Sequence, residues 1–151
     1  MIEIPDFSTL QQRLGQEVAV SDWLEMPQER ISQFAETTED QQWIHVDTAR
    51  AAAESPYKTT IAHGFLTLSM LSALLRSAIT LPKRRLGINY GLNRVRFMAA
   101  VPSGSRIRGR FVATELKEID SGYQMVWTVT IEREGSEKPS CVAEWVLRYL
   151  L

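Results

Sequence analysis

The sequence has very little cysteine and histidine. Its 151 residues include one cysteine, Cys141, and two histidines, His45 and His63. A single cysteine excludes an internal disulfide and a cysteine-rich metal site. Because Cys141 lies where apolar and polar residues alternate, we expect it to be a small core residue.

The chain also lacks an excess of charge of either sign. Its 17 lysine and arginine residues stand against 18 aspartate and glutamate residues, for a formal net charge of −1. The basic footprint typical of nucleic-acid-binding proteins is missing, so we predict no nucleic-acid partner.

The longest apolar stretch, residues 61–75, is short and partly polar, and no basic segment leads into an apolar one near the start. We therefore expect a cytoplasmic protein without a membrane partner.

Internal repeats, low-complexity segments and linkers rich in proline, glycine or serine are missing as well. The length is typical of one domain that buries its own core. The sequence therefore predicts a single domain over residues 1–151.

Alternating apolar and polar residues, the pattern of half-buried strands, occupy most of the chain after residue 82. Turn-forming residues separate these strands, so consecutive strands are expected to be antiparallel neighbours. An earlier strand is predicted over residues 17–24, and Gly91 indicates a β-bulge in the strand over residues 86–98. The two clearest strands predict these inward-facing residues: Tyr123, Met125, Trp127, Val129 and Ile131, then Cys141, Ala143, Trp145, Leu147 and Tyr149.

One segment, residues 61–79, is apolar on nearly every side of a helix, which is typical of a buried helix. A curved antiparallel sheet of about five strands wrapped around this long central helix would bury one apolar face of each strand. The predicted class is therefore α+β, and the predicted architecture is the hotdog fold.

Asp40 and His45 are the first candidate site residues. An acid five residues before a histidine can hold and polarise a water molecule. On a continuous α-helix this spacing separates the side chains by about 140°, so a shared water requires an irregular turn over residues 40–45. From the spacing alone, an alternative is that Asp40 caps a short helix and His45 is a buried, hydrogen-bonded core residue.

The pair His63-Gly64 stands at the start of the apolar helix. Glycine in a helix costs about 1 kcal/mol relative to alanine, which indicates close approach of a ligand or tight packing against a strand. At a helix N-terminus, the N–H of Gly64 is suited to donate to a thioester oxygen. His63 either contacts the substrate or orients a neighbouring loop.

Other kinds of site are less well supported. Asp40, Asp47 and the two histidines lack the tight spacing of metal ligands, so no metal is predicted. The Gly-x-Ser-x-Gly elbow of serine hydrolases is not found in the sequence.

Three segments carry a resemblance to a known family. Residues 38–47 (TEDQQWIHVD) and 60–69 (TIAHGFLTLS) resemble the MaoC-like dehydratases, which include the (R)-specific enoyl-CoA hydratases. Residues 88–97 (INYGLNRVRF) are similar to the branch containing nodulation protein N and the medium-chain (R)-hydratases that feed polyhydroxyalkanoate synthesis. The resemblance runs over nearly the whole chain. It implies a hotdog fold, an acyl-CoA substrate, a homodimer and no cofactor.

By this resemblance, Asp40 and His45 match the family's catalytic pair, and Gly64 matches its oxyanion-binding amide. Ser72 matches a serine that some members place near the active site. Many members have Asn-Pro where this chain has Gln42-Trp43, a form that resembles the nodulation-protein-N branch.

The reaction implied by the resemblance is that of a hydro-lyase. It is the reversible addition of water to a trans-2-enoyl-CoA, giving an (R)-3-hydroxyacyl-CoA. Two alternatives stay open from the sequence: a hotdog acyl-CoA thioesterase, and a hotdog protein that binds acyl-CoA without turnover.

Overall fold

The computed structural model describes residues 1–151. Its eight strands are β1 (Ile2–Glu3), β2 (Glu17–Val20), β3 (Leu24–Met26), β4 (Ile79–Thr80), β5 (Leu86–Phe97), β6 (Ser105–Ile119), β7 (Gly122–Arg133) and β8 (Cys141–Leu150). Six of them form an antiparallel sheet in the order β2, β6, β7, β8, β5, with β3 also paired to β6. Strands β1 and β4 form a separate parallel pair.

Six helices accompany the sheet. They are α1 (Phe7–Gln12), α2 (Gln28–Thr38), α3 (Trp43–Val46), α4 (Thr48–Glu54), α5 (Gly64–Ser69) and α6 (Leu71–Ala78). None of these helices has the length and apolar character needed to cross a lipid bilayer.

The core lies between α6 and the inner face of the sheet. Helix α6 buries Leu71, Leu74, Leu75 and Ala78. Gly109 on β6 faces this helix: a Cβ there would lie in ordinary contact with the Cβ of Leu74, at 3.5 Å, and in a tight contact of 3.0 Å with the ring of Phe111. All the inward-facing residues predicted on β7 and β8 are buried except Tyr123, which is half-buried. These observations confirm the α+β class and the hotdog architecture, with a central helix packed on an antiparallel sheet.

The bounds of the central helix differ from the expected residues 61–79. The helix begins at Gly64, and Met70 separates α5 from α6. Residues 61–63 are extended because their backbone bonds elsewhere: the Ile61 N–H donates to the Ile44 carbonyl at 3.0 Å, and the Ala62 N–H to the Val101 carbonyl at 2.8 Å. Tertiary hydrogen bonds of Ile61 and Ala62 therefore override the helical pattern, and the helix begins later than expected.

The strand expected over residues 17–24 is divided into β2 and β3. Ser21 occupies the break, where its N–H donates to the Gly109 carbonyl at 2.9 Å and its hydroxyl accepts the Gly109 N–H at 2.8 Å. A side chain thus replaces one backbone group of the ladder, and the strand resumes at Leu24.

Strand β5 forms one edge of the sheet and is exposed along nearly its whole length. The register with β8 shifts between Asn89 and Gly91 and again between Leu92 and Arg94. The first shift confirms the bulge predicted from Gly91.

Candidate active site

The irregular backbone between α2 and α3 means that Asp40 and His45 do not lie on one continuous helix. Helix α2 ends at Thr38, and Glu39 follows with a left-handed φ of 61°. Residues 40–42 are irregular, and α3 begins only at Trp43. This is the break in helical geometry that a shared water between Asp40 and His45 requires.

Asp40, His45 and His63 converge at one point. A carboxylate oxygen of Asp40 and one ring nitrogen from each histidine lie within 4.8 Å of one another. A water with two hydrogen bonds of about 2.8 Å can bridge groups up to about 5.6 Å apart. His45 and His63 are 7% and 3% exposed, whereas Asp40 is open to solvent. The cluster can therefore hold a water at the boundary between the interior and solvent.

One hydrogen bond and burial determine the state of the His45 imidazole. Its Nδ1–H donates to the carbonyl oxygen of Ile61 at 2.7 Å, which leaves Nε2 as the acceptor nitrogen of the neutral ring. Burial lowers the pKa of His45 below its ordinary value, and the neighbouring His63 lowers it further. The Ile61 carbonyl and Asp40 act in the opposite direction and do not reverse the shift. His45 is therefore suited to accept a proton at neutral pH.

His63 ties the start of α5 to the segment that carries Asp40. Its Nε2–H donates to the backbone carbonyl of Asp40 at 3.0 Å. Its ring stacks on His45 with centroids 3.8 Å apart, and Phe34 packs against it at 4.9 Å. The other ring nitrogen, Nδ1, is buried and has no hydrogen-bond partner.

The same three side chains are the ones that could be considered as metal ligands. A metal bound by two imidazoles lies near both ring planes, about 2.0 Å from each nitrogen. The rings of His45 and His63 are stacked, with centroids 3.8 Å apart and only 26° between their planes, so a metal could not lie near both ring planes at that distance. This arrangement favours a shared water over a shared metal.

Gln28 holds this arrangement in place. Its side-chain NH₂ donates to the backbone carbonyl of His45 at 2.7 Å, and its side-chain oxygen accepts the hydroxyl of Thr60. One amide thus links the first turn of α2 to α3 and to the loop before His63. No pattern in the sequence marks Gln28 as a site residue, because its partners lie 17 and 32 positions away.

A cavity of about 250 Å³ adjoins the cluster and is lined by both His45 and Gly64. The Gly64 N–H is the first of α5 and has no acceptor within the helix. Phe97 packs directly on Gly64: a Cβ on that glycine would lie 2.9 Å from its ring. Close packing against β5 therefore accounts for the glycine, and the cavity leaves room for a ligand beside it.

Ser72 lies in a different place from these residues. It lines a second cavity of about 240 Å³, together with Phe65, Leu68, Asn89 and Trp145. The structure therefore brings Asp40, His45, His63 and Gly64 to one site and leaves Ser72 outside the cavity that His45 lines.

Comparisons with known proteins agree with this fold. A model of the MaoC-like domain matches residues 9–134. The 3-hydroxyacyl-thioester dehydratase Z of Mycobacterium tuberculosis H37Rv is 48% identical over 137 residues, 90% of each chain. Nodulation protein N of Rhizobium leguminosarum biovar viciae is 49% identical over 139 residues, 89% of this chain and 84% of that one. An unliganded (R)-hydratase from Pseudomonas aeruginosa has a TM-score of 0.72 at 21% identity, covering 91% of this chain and 81% of that one. This chain belongs to the MaoC-like domain family.

Proposed function

We propose that the protein is a hydro-lyase that adds water reversibly to a trans-2-enoyl-CoA, giving an (R)-3-hydroxyacyl-CoA. The observation that carries the proposal is the convergence of the Asp40 carboxylate and a buried His45 within 4.8 Å, next to a cavity that Gly64 also lines. The name of the dehydratase relative, which describes a 3-hydroxyacyl thioester, supports the same substrate class.

In this reaction Asp40 and His45 hold one water between them. The water oxygen bonds C3 of the enoyl group while the pair takes up one of its protons. The pair then returns a proton to C2, so the elements of one water are added and no cofactor takes part. The lowered pKa of His45 keeps its imidazole neutral and able to accept the proton.

Gly64 is the proposed donor to the thioester carbonyl oxygen. As water adds at C3, that oxygen takes on enolate character, and a fixed N–H donor stabilises the charge most strongly in a water-poor cavity. The first N–H of α5 meets this requirement because no carbonyl within the helix competes for it.

His63 is proposed as a positioning residue. Its bond to the Asp40 carbonyl and its stacking on His45 hold the two members of the pair relative to each other. Ser72 lines the neighbouring cavity with Phe65 and Leu68, and we propose that it contacts a different part of a bound ligand.

We also propose that two copies associate through β5. This edge strand leaves backbone N–H and C=O groups without partners along one side. It also exposes apolar side chains, with Tyr90 and Leu92 exposed by 56% and 43%. A second copy paired to the same edge would supply hydrogen-bond partners for these backbone groups and would cover these apolar side chains.

The proposal is tested by mixing the protein with crotonyl-CoA and following the loss of enoyl absorbance. The expected product is the (R)-3-hydroxy thioester, identified with stereospecific dehydrogenases. Release of free thiol, detected with a thiol reagent, would instead indicate a thioesterase. Binding of enoyl-CoA without either product, across a series of chain lengths, would indicate a protein that binds acyl-CoA without turnover.

A further inference from the structure

One buried hydroxyl group near the proposed site has no hydrogen-bond partner within the protein. Ser140 is 2% exposed, and its Oγ has no hydrogen-bond partner. A hydroxyl buried without a partner is destabilising, so an unpaired one calls for a reason. Ser140 lines the same cavity as His45 and Gly64.

The backbone on both sides holds Ser140 in place. Its N–H donates to the Ile131 carbonyl at 2.8 Å, and its own carbonyl accepts the Met98 N–H at 3.0 Å. Because both backbone groups are bonded, the backbone of Ser140 is fixed in position just before β8. Ser140 is thus a fixed polar residue in the lining of the cavity, where most of the other lining side chains are apolar.

From these observations we infer that Ser140 is a substrate-binding residue, whose hydroxyl donates a hydrogen bond to a carbonyl oxygen of the acyl thioester bound in this cavity. The inference rests on the proposed function for the identity of the ligand. Two carbonyl oxygens share this chemistry: the thioester carbonyl and the amide carbonyl of the pantetheine arm.

Ser21 provides a matched control. It is another buried serine, 6% exposed, but its hydroxyl is fully engaged by Asp22 and Gly109, and it lies outside the cavity lining. Replacing Ser21 by alanine removes hydrogen bonds of the folded protein. Replacing Ser140 by alanine removes none.

The experiment measures thermal stability and the binding of butyryl-CoA by calorimetry, which requires no turnover. Ser140→Ala is expected to keep or raise the melting temperature and to weaken butyryl-CoA binding about three- to tenfold, as for the loss of one neutral hydrogen bond. Ser21→Ala is expected to lower the melting temperature and bind as the wild type does. Ser140→Cys, a near-isosteric and weaker donor, serves as the second variant and should also bind more weakly.

Kinetics on crotonyl-CoA then distinguish the two oxygens. A fall in kcat assigns the bond to the thioester carbonyl, because that bond strengthens as charge develops. A rise in KM at unchanged kcat assigns it to the pantetheine amide.

Wild-type affinity in both Ser140 variants would overturn the inference, even if the wild type hydrates crotonyl-CoA. If the wild type binds butyryl-CoA without hydrating crotonyl-CoA, the proposed reaction is wrong. The affinities of the Ser140 variants for butyryl-CoA then still test the inference about Ser140. No binding by the wild type would overturn both.

Discussion

Hydrogen bonds to two backbone carbonyls place the histidines in opposite tautomers. His45 carries its proton on Nδ1 and offers Nε2, whereas His63 carries its proton on Nε2 and leaves Nδ1 free. The two rings are stacked, yet only His45 lines the cavity beside Gly64. This difference supports a chemical role for His45 and a positioning role for His63.

Substitution of the proposed pair should remove activity without unfolding the protein. Asp40→Asn and His45→Gln are each expected to lower kcat on crotonyl-CoA by about 100- to 10,000-fold, the usual contribution of a positioned acid or base. Asp40 is exposed and forms no ion pair, so its replacement should leave the melting temperature nearly unchanged. Rates like those of the wild type in either variant would remove that residue from the mechanism.

The pH dependence of activity should reflect the buried His45. Burial disfavours the imidazolium form, so the pKa of His45 lies below 6.5 and the neutral base persists to lower pH than in free histidine. The acid limb of kcat/KM should therefore have its midpoint below pH 6.5 and be lost in His45→Gln. Ring-proton NMR of His45 gives an independent midpoint, and a value above 6.5 would contradict the environment described.

The same burial links acid pH to stability. The unfolded chain takes up a proton at His45 as the pH falls through about 6.5, whereas the folded chain resists protonation until a lower pH. The contribution of His45 to stability is therefore full above this range and falls as the pH drops through it.

At the scale of elements, the site depends on contacts between segments that are distant in sequence. The loop before His63 is bonded to α3 through Ile61 and Ile44, and to the segment before β6 through Ala62 and Val101. Gln28 adds a bond from the first turn of α2. Four elements or loops are therefore bonded together around the cluster, and none of them holds it alone.

Loss of the Gln28 amide should disturb both stability and rate. Gln28→Leu leaves the His45 carbonyl and the Thr60 hydroxyl without their partner, which should cost about 1–3 kcal/mol of unfolding free energy. A fall in kcat is also expected because α3 is no longer tied to the loop before His63. Denaturant unfolding and crotonyl-CoA kinetics measure the two effects.

Ser32→Ala is the control for that variant, because it removes only the 3.2 Å contact between the Gln28 NH₂ group and the Ser32 hydroxyl. If Gln28→Leu and Ser32→Ala behave alike, Gln28 does not position the site.

The sequence predicts strands β7 and β8 well and the start of the central helix poorly, for one physical reason. Apolar and polar side chains alternate along β7 and β8 because one face of each strand is buried, so the side-chain pattern alone predicts these strands. The start of α5 at Gly64 depends on backbone bonds from Ile61 and Ala62 to distant carbonyls, which leave no mark on side-chain pattern. The same limit applies to Gln28 and Ser140, whose places at the site come only from the fold.

At the scale of the whole molecule, one core of 27 buried residues extends from Ile4 to Tyr149. We propose on this basis that residues 1–151 form a single domain. Unfolding in urea should then show one cooperative transition, with tryptophan fluorescence and circular dichroism coincident. Two separated transitions would contradict a single domain.

The oligomeric state tests the role proposed for β5. Leu92→Lys places a charge on the exposed edge and should convert a dimer to a monomer of 17.2 kDa, measured by light scattering after gel filtration. Ile2→Lys is the control, because Ile2 is similarly exposed, at 39% against 43% for Leu92, but belongs to the separate β1–β4 pair. A wild-type monomer, or dissociation by both variants, would argue against association through β5.

The division of the opposite edge into β2 and β3 has a consequence for how far association can proceed. These strands are only four and three residues long, and Ser21 interrupts the ladder between them. That edge offers no long template for another strand, unlike the twelve residues of β5. Pairing of β5 with β5 about a two-fold axis would use the one extended edge of each copy, so growth of the sheet would close at two chains instead of continuing as a fibre.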